Sequence, residues 1–274
     1  KNLATRVFTR GSLLAMMRLP DRDQGQTRIF QGFRMKRLSI VGLFALSCSV
    51  FAPRELNLSY EVADNGRSVL VSWDAVDGAS WYRVSVDGVA VDSVQAGSGT
   101  SFKIPSEQAG KVIKVEAVGT DISEEIDLSP YRTELILFSR EDPDTLHPEA
   151  AGLDYYYFER YFISDTANWS RIDFYIGDEN GDDTTDINSP RVYGINNEYN
   201  MSALWGTGNC APDTGYALTT DLVQGGEYAL WMSYDREWGL ADNFARIVVD
   251  SVDSFRVEIS TYYQIEYGLK WVGK

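Results

Sequence analysis

Cysteine is almost absent from this chain of 274 residues, which holds only Cys48 and Cys210. Two cysteines cannot build the disulfide framework that stabilises many small secreted domains, so stability has to come from packing. If Cys48 is removed with a signal peptide or lipidated, Cys210 has no partner. We then expect Cys210 to be a small residue of the core.

Histidine is scarcer still, because His147 is the single example. One histidine excludes a metal site built on a histidine pair, and the sequence has no Gly-x-Ser-x-Gly nucleophile elbow and no phosphate-binding glycine loop. Carboxylate pairs such as Glu159 with Asp173 suit glycoside hydrolysis, but their sequence separation gives no distance. We therefore expect a non-enzymatic protein, with a hydrolase as an alternative.

Helical periodicity is also lacking after residue 53, whereas glycine and tyrosine are frequent. This composition, with short alternating runs, predicts an all-β fold. The length allows two domains.

The clearest pattern lies between residues 67 and 91. Two runs alternate apolar with polar residues, which predicts two strands that each bury one face. Residues 74–80 have the composition of a turn, and Asp87-Gly88 is a strong hairpin signal. The alternating positions are Val69, Val71 and Trp73 in the first run, and Tyr82, Val84 and Val86 in the second.

This stretch resembles the fibronectin type III family, in which a Trp ends the second strand and a Tyr-x-Val strand ends in Asp-Gly. Residues 113–119 are similar to the sixth strand of that family, with Ile113 where the family usually has Tyr. The resemblance covers about residues 56–129. It implies an immunoglobulin-like sandwich of two sheets with a spacing or adhesive role and no catalysis. Another immunoglobulin-like sandwich is the alternative.

The N-terminal part predicts export. Residues 1–34 are basic and weakly patterned, and we expect a non-native upstream leader, with a helical hairpin as the alternative. Residues 35–52 then read as a signal peptide: a charged start at Met35 is followed by the apolar segment 38–46, which is too short for a membrane span.

Two cleavage sites compete in this segment. Residues 45–48 resemble a bacterial lipobox, whose Cys48 would be lipidated, whereas residues 50–52 fit ordinary signal peptidase. The predicted location is therefore the outer membrane or cell surface as a lipoprotein, or the medium as a secreted protein.

The exported part is strongly acidic. Removing the 9 basic and 2 acidic residues of segment 1–52 from totals of 25 and 40 leaves a net charge of −22. Nucleic acid and anionic membranes are repelled by such a charge. We expect a protein or carbohydrate partner, and membrane contact only through a lipid anchor.

Residues 53–129 are predicted to form the first module, and residues 130–274 a second, antiparallel β-rich domain, which is a sandwich or a curved sheet. Its predicted strands are 134–138, 155–162, 171–176, 216–219, 227–233, 244–249, 255–259 and 264–271.

The C-terminal domain is also similar to the ending of HmuY-like surface lipoproteins, in which a Tyr/Phe-Ala-Lys/Arg-Ile strand and a final strand with Tyr-Gln follow one another. The matching segments are 226–231, 244–249, 255–259 and Tyr263-Gln264. Some members bind haem through two histidines, and a chain with only His147 cannot do so. The resemblance thus implies a surface lipoprotein without that function.

An acidic loop is the candidate metal site. Asp178, Asn180, Asp182 and Asp186 stand at positions 1, 3, 5 and 9, as in EF-hand-type calcium loops. Position 6 is Asp183 instead of Gly, and position 12 is Ser189 instead of Glu. Calcium is the expected cofactor if the loop binds one, and a solvated acidic turn is the alternative.

Two tryptophans are the candidate ligand-binding residues. Trp205 and Trp238 lie in loop-like surroundings, where an exposed indole can stack on a sugar ring. The favoured hypothesis is a non-enzymatic surface protein in which the first module spaces a binding domain from its anchor. The alternative is a carbohydrate-binding protein that uses these tryptophans.

Overall fold

The computed structural model describes residues 55–144, 147, 151–155, 158–195, 199–206 and 208–273. The leader, the signal peptide and Cys48 lie outside them. The described residues form seventeen strands and two short 3-10 helices, which confirms the all-β prediction. None of these described helices is long and apolar enough to span a membrane.

The first module consists of two antiparallel sheets. One has the strand order β1-β2-β5 and the other the order β4-β3-β6-β7. A 3-10 helix at Ser106–Gln108 follows β5. The strands are β1 Ser59–Ala63, β2 Ser68–Ser72, β3 Trp81–Val86, β4 Val89–Gln95, β5 Ser101–Ile104, β6 Val112–Val118 and β7 Ile122–Asp127.

The alternating pattern of the sequence places the core of this module as predicted. The apolar positions of β2 and β3 are buried, and the rings of Trp73 and Tyr82 lie 5.4 Å apart. The Tyr82 hydroxyl accepts a 2.8 Å hydrogen bond from the Val76 backbone N–H. Asp87 and Gly88 both have positive φ and close the β3–β4 hairpin, which the Asp-Gly signal predicted.

The second domain has three sheets, with the orders β13-β15-β16-β17-β8, β11-β12-β14 and β10-β9. A 3-10 helix at Thr166–Arg171 follows β10. The strands are β8 Tyr131–Phe138, β9 Ala151–Asp154, β10 Glu159–Phe162, β11 Tyr175–Gly177, β12 Asp186–Asn188, β13 Met201–Leu204, β14 Thr219–Asp221, β15 Glu227–Met232, β16 Asn243–Val252 and β17 Arg256–Tyr263.

The domain buries alternate side chains of its largest sheet against the three-stranded sheet. Leu230 on β15, Ile247 on β16 and Ile259 on β17 share one cluster with Ile176 and Ile187 of the smaller sheet. The opposite face of the large sheet carries a separate cluster around Phe244.

Three predicted strands differ in the structure. Of the described residues in segment 155–162, only the end, Glu159–Phe162, is a strand: this is β10, which pairs with β9, and Phe158 directly before it has a positive φ. Segment 171–176 begins in a 3-10 helix, and only its end enters β11. In segment 216–219, the chain forms an isolated bridge at Ala217 before β14 begins at Thr219.

The segment 264–271 is not a strand of the second domain, so that prediction is wrong. The chain leaves the large sheet after Tyr263, and Leu269 and Trp271 become part of the hydrophobic core of the first module. Both side chains are almost fully buried there, at 0% and 2% exposure. The two domains therefore share a core that the sequence boundary at residue 129 does not suggest.

Candidate functional site

The acidic loop joins β11 to β12, and its side chains mainly bind its own backbone. Asp178 Oδ1 accepts a 2.7 Å hydrogen bond from the Gly181 N–H, and Asp182 Oδ1 accepts one of 2.9 Å from the Thr184 N–H. Asn180 Oδ1 accepts a 3.0 Å bond from the Asp182 N–H. These contacts give three of the four predicted ligands a role in shaping the loop.

Asp186 has a different environment. It begins β12, is fully buried, and its Oδ1 has no hydrogen-bond partner. Its Oδ2 accepts a 3.3 Å bond from the Glu179 N–H. Burial raises the pKa of the Asp186 carboxyl to about 6, and the negative charge of Asp221 adds to this rise.

Asp221 is a site residue that the sequence analysis missed. It lies directly opposite Asp186 in the β12–β14 ladder, and its Oδ1 accepts a 3.3 Å hydrogen bond from Asn180 Nδ2. The two residues are 35 positions apart and lie on separate strands, so no sequence motif connects them. Their proximity could be predicted only from the pairing of β12 with β14.

The structure does not bring the predicted calcium ligands together as a carboxylate cage. Within the part of the chain that it describes, no group of three or more His, Cys, Asp or Glu side chains is arranged to hold a metal ion. Calcium binding at positions 1, 3, 5 and 9 stays a prediction.

Trp205 is half-buried on the outer face of the large sheet. The guanidinium carbon of Arg246 lies 4.7 Å from its ring centroid, and Arg246 pairs with Glu227. The backbone N–H of Trp205 donates a 2.7 Å hydrogen bond to the Glu227 carbonyl oxygen. One ring face is therefore covered by a cation of the protein itself.

Trp238 is half-buried at the junction of the two domains. Its Nε1 donates a 3.0 Å hydrogen bond to the Gly268 carbonyl oxygen. A Cβ built on Gly66, in the turn between β1 and β2, would lie 2.9 Å from the same Nε1. Both predicted tryptophans pack against the cluster around Phe244. The position of Trp238 makes it a packing residue of the domain junction.

Polar contacts reinforce this junction. Asp213 of the second domain forms ion pairs with Arg67 of the first module and, at 2.8 Å, with Lys270 of the C-terminal segment. The buried Gln264 donates hydrogen bonds from Nε2 to the carbonyl oxygens of Leu128, at 3.1 Å, and of Trp271, at 2.7 Å. These bonds join the end of the first module to the end of the chain.

Cys210 belongs to this junction as well. It is half-buried against the core of the first module and forms an isolated bridge with Trp271. Burial raises the pKa of its thiol to about 12, which keeps it protonated at neutral pH. The expected core cysteine is thus a residue of the shared core.

His147 lies between two carboxylates. Its Nδ1 is 2.6 Å from Asp142 Oδ2, its Nε2 is 3.6 Å from Asp144 Oδ2, and its ring stacks on Phe138 at 3.8 Å between centroids. These contacts hold the loop that follows β8 against the sheet.

Two small cavities lie near these elements. One, of about 10 Å³, lies between the sheets beside Asn188 and Asn200, and one of about 20 Å³ adjoins Trp271. Each has room for about one water molecule, far less than the several hundred Å³ of a ligand pocket. Neither cavity can hold a ligand of ordinary size.

Comparisons with known proteins add little. No family model matches the chain, and no curated protein matches it. Among solved structures, the chain is similar to a DUF4466 family protein from Parabacteroides merdae, with a TM-score of 0.35 and 13% identity over 77% of this chain and 99% of that one. Similarity at this level assigns neither a family nor an activity.

Proposed function

We propose that this chain is a non-enzymatic, exported surface protein, in which a fibronectin type III module and a β-rich binding domain form one rigid unit. The observation that carries the proposal is the burial of Leu269 and Trp271, from the end of the chain, in the core of the first module. A shared core prevents the hinge motion that is usual between domains joined only by a linker.

The strand arrangement supports the fibronectin type III part of the proposal. Three strands in the order β1-β2-β5 face four in the order β4-β3-β6-β7, which suits a seven-stranded immunoglobulin-like sandwich. The consecutive antiparallel strands β15, β16 and β17 agree with the order of segments in the HmuY-like resemblance. That resemblance favours a surface lipoprotein and carries no haem function.

The candidate binding surface is the end of the large sheet where β15 and β17 both finish. The loops 233–242 and 264–268 meet there, since the Gly268 N–H donates a 2.7 Å hydrogen bond to the Asp242 carbonyl oxygen. Exposed apolar side chains are concentrated on these loops, and they suit contact with a protein ligand. They are Tyr234, Leu240, Ile265 and Tyr267.

The alternative of sugar stacking by Trp205 and Trp238 has weaker support. Arg246 covers one face of the first indole, and the second bonds to Gly268 within the domain junction. A sugar platform needs a free ring face that is exposed to solvent.

Export and anchoring are testable with one substitution. The chain is expressed in a bacterium that processes lipoproteins, and antibodies against residues 130–274 are applied to intact cells. We expect surface labelling of the wild-type protein and its release into the medium for Cys48→Ser. Retention of both proteins in the cytoplasm would refute the proposal, and unchanged anchoring of Cys48→Ser would refute its lipoprotein part.

A further inference from the structure

Two carboxylates face each other on neighbouring strands beneath the acidic loop. Asp186 on β12 is the register partner of Asp221 on β14. Like charges directly opposite in an antiparallel ladder destabilise it, and the burial of Asp186 increases the penalty, although Asp221 is exposed. Within the described residues, neither carboxylate forms an ion pair with lysine or arginine.

An unpartnered oxygen marks the same place. Asp186 is 0% exposed, and its Oδ1 has no hydrogen-bond donor. A buried acceptor that is left without a partner loses the hydrogen bonds it makes with water in the unfolded chain, which is unfavourable. Because its Oδ2 binds the Glu179 N–H, the carboxylate is oriented towards the acidic loop and not away from it.

The side-chain amide of Asn180 in the loop also lies at this position. Asn180 reaches Asp221 through its side-chain amide, at 3.3 Å between Nδ2 and Oδ1. The carbonyl oxygen of the same amide accepts a hydrogen bond from the Asp182 N–H, and rotation of the amide would exchange this bond for contact with a cation between the two carboxylates. Two carboxylates, an amide oxygen and water form a ligand set that calcium accepts.

We propose that Asp186, Asp221 and Asn180 form a calcium-binding site that joins the acidic loop to β14. The site differs from the EF-hand-type spacing, because Asp178 and Asp182 bind backbone N–H groups and shape the loop instead. A cation would neutralise the facing carboxylates and satisfy the unpartnered oxygen of Asp186. With two carboxylates and no dedicated bidentate glutamate, we expect a dissociation constant of about 10⁻⁴–10⁻³ M.

The test is thermal unfolding of the purified, EDTA-treated protein with increasing calcium chloride. Calcium should raise the melting temperature, and the rise should grow with concentration up to about 10 mM. Asp221→Asn should abolish the shift. The matched control Asp178→Asn, which makes the same charge change in the neighbouring acidic loop, should retain it.

Terbium luminescence provides a second measurement that does not depend on how well the variants fold. Terbium should bind the wild-type protein, and calcium should displace it. A melting temperature indifferent to calcium together with no terbium signal would overturn the proposal. A calcium shift lost in Asp178→Asn but kept in Asp221→Asn would also overturn it, in favour of the EF-hand-type spacing.

Discussion

The indole Nε1 of Trp271 donates a 2.9 Å hydrogen bond to the backbone carbonyl oxygen of Arg67, across a sequence separation of 204 residues. The bond links the C-terminal segment to the last residue of the β1–β2 turn. Trp271 is 2% exposed and lies in the core of the first module. The stability of that module therefore depends on a residue from the second domain.

Trp271→Ala should destabilise the protein by roughly 3–5 kcal/mol, since it removes a large buried side chain from the shared core. Both domains should unfold in one transition. The control is Trp81→Ala, whose side chain is 46% exposed on β3, and it should change stability by less than about 0.5 kcal/mol. Denaturant unfolding followed by circular dichroism measures both. Equal effects of the two substitutions would contradict a shared core.

The first module should not fold stably when it is produced alone as residues 53–129. Without Leu269 and Trp271 its core is open on one side, and the apolar surface that they cover becomes exposed to water. We expect binding of a hydrophobic dye and poorly dispersed amide resonances in nuclear magnetic resonance spectra. A cooperative melt close to that of the full chain would show that the C-terminal segment is dispensable.

Gly66→Ala should weaken the domain junction. Gly66 has a φ of +82°, and an added Cβ would lie 2.2 Å from the carbonyl oxygen of Gly268. The matched control is Gly88→Ala, with a φ of +79° and no heavy atom within 4 Å of the added Cβ. Gly88→Ala should lower the free energy of unfolding by about 1 kcal/mol, because alanine is strained at a positive φ. Gly66→Ala should lower it by about 2 kcal/mol more, because its Cβ also meets the Gly268 carbonyl oxygen. Similar losses at both positions would contradict the close approach.

In EDTA, Asp186 should make the protein less stable as the pH rises from about 4 to about 6. The pKa of Asp186 in the folded state is raised to about 6 by burial, with the facing charges of Asp221 and Asp182 contributing. Between the unfolded and folded pKa values the native state binds more protons. Stability is therefore full below about pH 4 and falls as the pH passes through the folded pKa.

Asp186→Asn should remove this pH dependence, which corresponds to a gain on the order of 3 kcal/mol at pH 7 relative to pH 4. Asp178→Asn, the same charge change at a half-buried position of the loop, should keep it. Unfolding free energies measured at pH 4, 5, 6 and 7 for the three proteins decide the outcome. A pH profile of Asp186→Asn that coincides with the wild-type profile would exclude Asp186 as its source.

Local patterns in the sequence were sufficient to predict the strands β2 and β3 of the first module and the hairpin that follows β3. The alternation of Val69 and Val71 with polar residues identifies a half-buried strand, and Asp87-Gly88 adopts the positive φ angles that a tight hairpin requires. Both signals act within a few residues. The long strands β15, β16 and β17 were predicted for the same reason, with small differences at their ends.

Only the tertiary structure decided where the distant segments lie. The aromatic run at the end of the chain has strand-like composition, but Trp271 fills the core of the first module and does not extend the large sheet. The pairing of Asp186 with Asp221 likewise depends on the register between β12 and β14, next to which Ile187 and Leu222 pack in the core of the second domain. Such contacts join residues that are far apart in sequence, and no local periodicity encodes their partners.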